Sequence, residues 1–168
     1  KRTFEWGTRT FVMGILNATP DSFSGDGLLA EAAAPDPVAA AVRLATAMAE
    51  DGADILDVGG ESTRPGHAAV AAYEELARVV PVIRAIRAAL PDMPISVDTT
   101  KPAVVAAALD AGADLVNDIW GVGHDEAMAG LAAERGVPIV LMHNRAEARY
   151  TTLLPEIVAD LQRAIERT

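Results

Sequence analysis

Gly52-Ala53-Asp54-Ile55-Leu56 returns later in the chain as Gly112-Ala113-Asp114-Leu115-Val116, and Arg135-Gly136-Val137 is a looser third copy. Each copy reads as a glycine that closes a helix, followed at once by a strand buried on both faces. Working outward from these copies, five short apolar runs each end on a polar side chain. Val12 to Leu16 runs into Asn17, Ile55-Leu56 into Asp57, Ile95 to Val97 into Asp98, Leu115-Val116 into Asn117-Asp118, and Val137 to Met142 into His143. Helical patterns separate the runs, near Pro37 to Glu50, Ala72 to Leu90, Pro102 to Ala111, Asp125 to Glu134 and Pro155 to Arg167, with prolines at several of the starts. Strands covered on both faces and alternating with helices specify α/β architecture with a parallel sheet.

Two such architectures are open to the chain, the doubly wound sheet and the (β/α)8 TIM-type barrel. An open sheet gathers its site at one switch point, whereas a barrel places chemistry at the C-terminal end of many strands, so polar groups at all five ends favour the barrel and one shared rim. A barrel typically takes about 250 residues, and the 168 residues here hold about five units. Residues 1–168 therefore read as the N-terminal portion of a single barrel domain whose C-terminal β/α units are missing. Phe4 to Trp6 and Arg9 to Phe11 flank Gly7-Thr8, which predicts a small hairpin able to plug the barrel floor.

Composition narrows the function. A formal net charge of −10 opposes binding to nucleic acid or acidic membrane. No apolar stretch approaches the roughly 20 residues of a membrane helix, and Lys1 to Trp6 lacks a signal-like apolar core. The absence of cysteine removes disulfides, thiolate metal sites and thiol nucleophiles. The expected setting is cytoplasmic. HExxH, GxGxxG and the P-loop pattern are all missing.

Two loops carry most of the chemistry. Asn17-Ala18-Thr19-Pro20-Asp21-Ser22-Phe23-Ser24-Gly25-Asp26-Gly27 offers an amide oxygen, hydroxyls, carboxylates and one aromatic ring. Asn17 can ligate a hard cation such as Mg2+, or simply cap a turn. Gly59-Gly60-Glu61-Ser62-Thr63-Arg64-Pro65-Gly66 joins backbone amides, hydroxyls and a guanidinium, a set suited to diphosphate, although Arg64 can also do no more than pair with Glu61. Asp98 and Asn117 can hold the edge of a heterocycle, or cap the helices that follow them. Asp57 reads as structural, holding the second loop or pairing with Arg64. Met142 can lie against a planar ring or pack in the core.

Met13-Gly14-Ile15-Leu16-Asn17-Ala18-Thr19-Pro20-Asp21-Ser22-Phe23-Ser24 and Asp57-Val58-Gly59-Gly60-Glu61-Ser62-Thr63-Arg64-Pro65-Gly66 resemble the two signatures of the dihydropteroate synthase family. Ser96-Val97-Asp98-Thr99, Asn117-Asp118-Ile119 and Met142-His143 resemble that family's third, fourth and fifth strand ends, in order. The resemblance implies a transferase of folate synthesis, a sulfonamide target, that joins p-aminobenzoate to 6-hydroxymethyl-7,8-dihydropterin diphosphate and releases diphosphate. It implies that Asn17 meets Mg2+, that Thr63 and Arg64 meet the diphosphate, and that Asp98, Asn117, Ile119 and Met142 bind the pterin. Ser22, Phe23, Thr63 and Pro65 would build the aminobenzoate pocket, and the full-length protein would be a homodimer. The chain departs from the family at Ala18 and at Gly25-Asp26-Gly27, which shifts an aspartate, and it lacks the later elements that complete the site, so the 168 residues alone are expected to be inactive. Two rivals stand beside this reading: a pterin-binding module like those of methyltetrahydrofolate methyltransferases, which lack both loops, and a catalytically incomplete fragment.

Overall fold

A computed structural model describes residues 3–19, 36–61, 69–123 and 125–168. In chain order the elements are β1 (Met13–Asn17), α1 (Pro37–Glu50), β2 (Ile55–Gly59), α2 (Ala72–Ala89), β3 (Ile95–Asp98), α3 (Pro102–Ala111), β4 (Leu115–Asp118), α4 (Ala127–Arg135), β5 (Ile139–Leu141) and α5 (Leu153–Glu166). The five strands are all parallel and lie in the order β1-β2-β3-β4-β5. A doubly wound sheet reverses its strand order at a switch point; this one does not, and a uniform order is that of a barrel wall.

The repeated Gly-Ala-Asp segment has a physical basis. Gly52, Gly112 and Gly136 all adopt positive φ after their helices, a conformation that costs a side-chain-bearing residue about 1 kcal/mol or more. The aspartate two residues later then does the same work twice. Asp54 accepts the Val12 N–H at 2.9 Å just ahead of β1 and pairs with Arg9, while Asp114 accepts the Ile95 N–H at 3.0 Å at the start of β3 and pairs with Arg87. Each carboxylate thus ties its own strand to the neighbouring one at the N-terminal edge of the sheet, which fixes register. The third copy has no aspartate at this place.

One face of the sheet carries the core. Leu16, Val58, Val97 and Val116 are level in the strand register and buried under the helices, beside Ala41, Ala45, Val79, Ile83, Val104 and Ala108. Burying each such aliphatic chain contributes about 1.5–3 kcal/mol. Gly14 belongs to this face: an added Cβ would stand 2.9 Å from the Met48 sulfur of α1. Gly60, at the end of β2, is more tightly enclosed, since its Cβ would stand 2.6 Å from Val79 Cγ2 and 2.9 Å from Glu75 Cγ. The other face is the inner one. Ile15 on β1 and Val140 on β5 point into it and remain 61% and 42% exposed, so no helix among the described residues covers it.

Two details differ from the sequence reading. Phe4 to Phe11 forms a turn rather than a paired hairpin: Gly7 has φ +90°, Thr8 N–H donates to Glu5 O, and Phe4, Trp6 and Phe11 cluster with the Arg9 guanidinium over the Phe11 ring. Helix α5 begins at Leu153 because Glu156 accepts the N–H groups of Thr151 and Thr152, which carries the helical start ahead of Pro155.

Gly60→Ala is expected to cost about 1–3 kcal/mol of stability through overpacking against α2. Gly130→Ala, at a position in the middle of α4 with open space around it, is expected to add about 0.5–1 kcal/mol. Urea midpoints of the two variants check both signs.

Candidate active site

Register assembles the site. Asn17 pairs with Gly59, Gly59 with Asp98, Asp98 with Asn117, and Asn117 with Val140, so one level row crosses the C-terminal end of all five strands. Side chains in register share a face. Asn17, Asp98 and Asn117 therefore stand on the inner face together. Gly59 supplies no side chain between Asn17 and Asp98, which leaves Asp98 free to lean across β2. Met142 lies two residues beyond Val140, has the same parity and is 44% exposed, so it is not a core residue. Ile119 follows Asp118 at the mouth of β4 and is half-buried. Ser22, Phe23, Thr63, Arg64 and Pro65 lie outside the described residues, as does the shifted Asp26.

The row beneath contains Ile15, Asp57, Ser96 and Leu115. Arg64, the partner that the sequence offers Asp57, lies outside the described residues, and Asp57 itself has a second role. It is buried in the inner face, where it accepts the Asn117 side-chain N–H at 3.0 Å. Burial pushes its carboxyl above the ordinary range, against the pull of Ser96 and Asn117. Asp98 is shifted further, to about 7: burial is the main cause, and the charges of Asp57, Glu75, Asp118 and Glu61 add to it. One oxygen of each of these two carboxyls is buried without a hydrogen-bond partner among the described residues.

Asp98 does not cap the following helix. Thr99 Oγ1 takes the Lys101 N–H instead, and α3 starts without a side-chain cap. Asn117 is likewise engaged by Asp57 rather than by a helix start. Asp118, the outward-facing neighbour, does the structural work: its carboxylate accepts Trp120 N–H at 2.9 Å and Val122 N–H at 2.6 Å. Those bonds hold a left-handed turn in which Val122 has φ 57°, a costly conformation for a β-branched residue.

The stem of the second loop is held by charge. Lys101 Nζ lies 2.5 Å from both Glu61 Oε2 and the fully buried Glu75 Oε2. Glu61 also accepts Val70 N–H at 2.8 Å, and Arg78 donates to Gly60 O at 2.9 Å. Burial works to raise Glu61, but Lys101 and the Val70 N–H outweigh it and the net shift is downward. Burial works to lower Lys101, and the two carboxylates reverse that. Glu61 therefore takes Lys101 as its cation.

The fifth strand end corrects the idea that all five polar ends meet. His143 has outward parity: its Nε2 is 2.9 Å from the Tyr150 hydroxyl and its Nδ1 is 3.2 Å from Asp160 of α5. Only the ends of β1, β3 and β4 bring a polar side chain to the inner row. The sequence reading missed the Lys101 network and the deeper role of Asp57. The alternation Ile55, Asp57, Gly59 along β2 was the available signal for the second.

The model of the pterin binding enzyme family matches residues 13–168. The chain belongs to the pterin-binding enzyme family. Within that family it is 51% identical over 158 residues to a dihydropteroate synthase of Bacillus subtilis, covering 94% of this chain and 53% of that one. A dihydropteroate synthase of Clostridium difficile, solved in the presence of pteroic acid, superposes with a TM-score of 0.89 at 42% identity, over 98% of this chain and 60% of that chain. One from Xanthomonas albilineans, solved with 4-aminobenzoic acid, gives 0.84 at 43% identity, over 95% and 55%. These structures are of TIM-barrel type, and this chain has the fold of their β/α units. It spans a little over half the length of the relatives it matches. No helix among the described residues is long and apolar enough to cross a membrane.

The raised Asp98 carboxyl makes stability fall as pH rises. In the unfolded chain this group ionises near 3.8, and in the fold near 7. Its neutral form is therefore favoured by folding, with the full contribution below about pH 4 and its loss complete above about pH 7. Chemical denaturation at several pH values should show a decline on the order of 2–4 kcal/mol across that window, flattened in Asp98→Asn. Lys101→Met strands the Glu75 carboxylate in the core and is expected to cost about 3–5 kcal/mol, read as a lower urea midpoint.

Proposed function

We infer that this chain supplies the pterin-binding wall of a dihydropteroate synthase, residues 1–168 forming the N-terminal part of one barrel domain. The observation that carries the reading is the inner row, in which Asp98 and Asn117 stand side by side at the mouth with Asp57 beneath them. Two adjacent, half-buried acceptors on an acidic surface suit a flat heterocycle that presents N–H groups. The same surface repels phosphate, so a diphosphate tail needs cations from elsewhere. Arg64 and Thr63, in the loop that Glu61 and Lys101 hold at its stem, are the candidates, joined by Mg2+. Asn17 fits as one ligand of that ion: it is an exposed amide at the rim, level with Asp98, and Mg2+ takes few protein ligands and keeps several waters. The metal, when bound, neutralises charge on the departing diphosphate.

The chemistry then follows from position. Asp98 and Asn117 fix the pterin edge, while Met142 and Ile119 line the ring. The methylene that bears the diphosphate faces the mouth, where Ser22, Phe23, Thr63 and Pro65 would receive p-aminobenzoate. Departure of diphosphate leaves positive charge on the methylene, spread into the electron-rich ring, and the arylamine nitrogen attacks that carbon and gives up a proton. Reactant positioning and leaving-group neutralisation carry such a dissociative substitution, so a strong base is not required. Sulfonamides would occupy the aminobenzoate place. Low pI and the acidic face argue against nucleic acid as a partner; by its likeness to the family, the full-length protein would be a cytoplasmic homodimer.

A chimera tests this directly. With residues 13–168 replacing the matching segment of the Bacillus subtilis relative, the protein should form 7,8-dihydropteroate from both substrates. Arg64→Ala should cut kcat/KM for the diphosphate substrate by about 10²-fold or more. Absence of product from a folded chimera, or unchanged kinetics in Arg64→Ala, contradicts the assignment.

A further inference from the structure

The Asn117 amide has two chemically different ends, and the structure fixes which one faces a ligand. Asp57 lies one row deeper in the inner face, 3% exposed, and takes the Asn117 Nδ2 hydrogen at 3.0 Å. A carboxylate oxygen has only lone pairs to offer, so the NH2 end of the amide must turn down toward it. The carbonyl end is left toward the rim. Its register partner Asp98, on β3, has a buried oxygen without a partner, which makes a second acceptor beside the first.

We propose that Asp57 is a positioning residue which, by locking the Asn117 amide, makes this wall select heterocycles whose bound edge offers two N–H donors and reject those that offer a carbonyl there. This rests on the pterin reading of the site. A 2-amino-4-oxopteridine carries an exocyclic amine next to a ring N–H and satisfies both acceptors. A 2,4-dioxopteridine has the same size and shape, but places a carbonyl where the amine stood and sets oxygen against the Asn117 oxygen. Were the amide free to turn, its NH2 end would serve the carbonyl as well, and the discrimination would fall. Selectivity thus comes from a residue that need not touch the ligand. Leaving a buried acceptor unpaired is costly enough to give a preference of roughly tenfold or more.

The test uses this 168-residue chain and the two pteridines as titrants. Wild type should bind 2-amino-4-oxopteridine roughly tenfold or more tightly than 2,4-dioxopteridine, and Asp57→Ala should bring the ratio to within about threefold. Asp57→Asn, which keeps the shape but can turn its own amide either way, should reduce the ratio also and guards against a folding defect in the alanine variant. In an Asn117→Ala background, Asp57→Ala should have no further effect on the ratio, because the action runs through Asn117. Without any ligand, the Asn117 side-chain N–H signals should exchange with solvent at least about tenfold faster in both Asp57 variants than in wild type. A ratio unchanged in folded Asp57 variants, additive effects with Asn117→Ala, or unaltered amide exchange would overturn the proposal and leave the pterin reading standing. Failure of wild type to bind either pteridine would overturn the pterin reading of this chain, and the ligand selectivity with it.

Discussion

Register between parallel strands is the constraint on which everything else here rests. A slip of one residue in β3 or β4 would send Asp98 or Asn117 to the helix face and bring its outward-facing neighbour to the mouth. The chain spends charge to prevent this at the far end of the strands. Asp54 and Asp114 each hold a neighbouring strand's first N–H and an arginine, far from the residues they align. The row Asn17, Gly59, Asp98, Asn117 is thus set from the opposite edge of the sheet. Residues at the floor are stability elements, while their consequence appears at the rim.

That row carries an electrostatic cost. Asp57, Asp98, Glu61, Glu75 and Asp118 crowd the C-terminal ends of β2, β3 and β4, and Asp98 feels all of the others. Lys101 offsets part of it by bridging Glu61 and Glu75, but it stands toward the loop stem and α2 rather than over the inner row. The inner carboxyls keep their mutual repulsion and their burial, so protons are held longer than usual. N–H donors placed against these oxygens would stabilise the ionised forms and so offset both penalties.

Alternation and punctuation made the scaffold legible. Apolar runs, the three glycines that close helices and the prolines at helix starts are local signals, and they place five strands and five helices close to where the chain has them. Asp98 and Asn117 were legible for the same reason, as polar residues ending apolar strands. Partnership was harder to read. Asp57 and Asn117 are far apart in sequence, and only the register of two intervening pairings brings one beneath the other. Glu75 offered no signal either, because an acid in the first turn of a helix reads as a solvated dipole partner, whereas this one is fully buried against Lys101. His143 misled for a related reason. It ends an apolar run just as Asn117 does, but with odd parity relative to Val140, and so turns to Asp160.

The turn after β4 shows how scaffold and site meet in adjacent residues. Asn117 faces inward and Asp118 outward, as successive strand residues must. Asp118 then takes the N–H groups of Trp120 and Val122, whose backbone is left-handed in spite of a branched side chain. Conformational strain of this kind costs about 1–3 kcal/mol and persists only where the surroundings enforce it. Here the enforcing group is one residue from the amide that Asp57 locks. Turning the chain sharply at this point also sends Gly121 against the Met142 carbonyl, where an added Cβ would stand at 2.9 Å, so the ends of β4 and β5 are drawn together. Ile119 and Met142, each on the inward parity of its strand, are thereby set on the same side of the mouth as Asn117. One carboxylate facing away from the inner row thus shapes the mouth beside it.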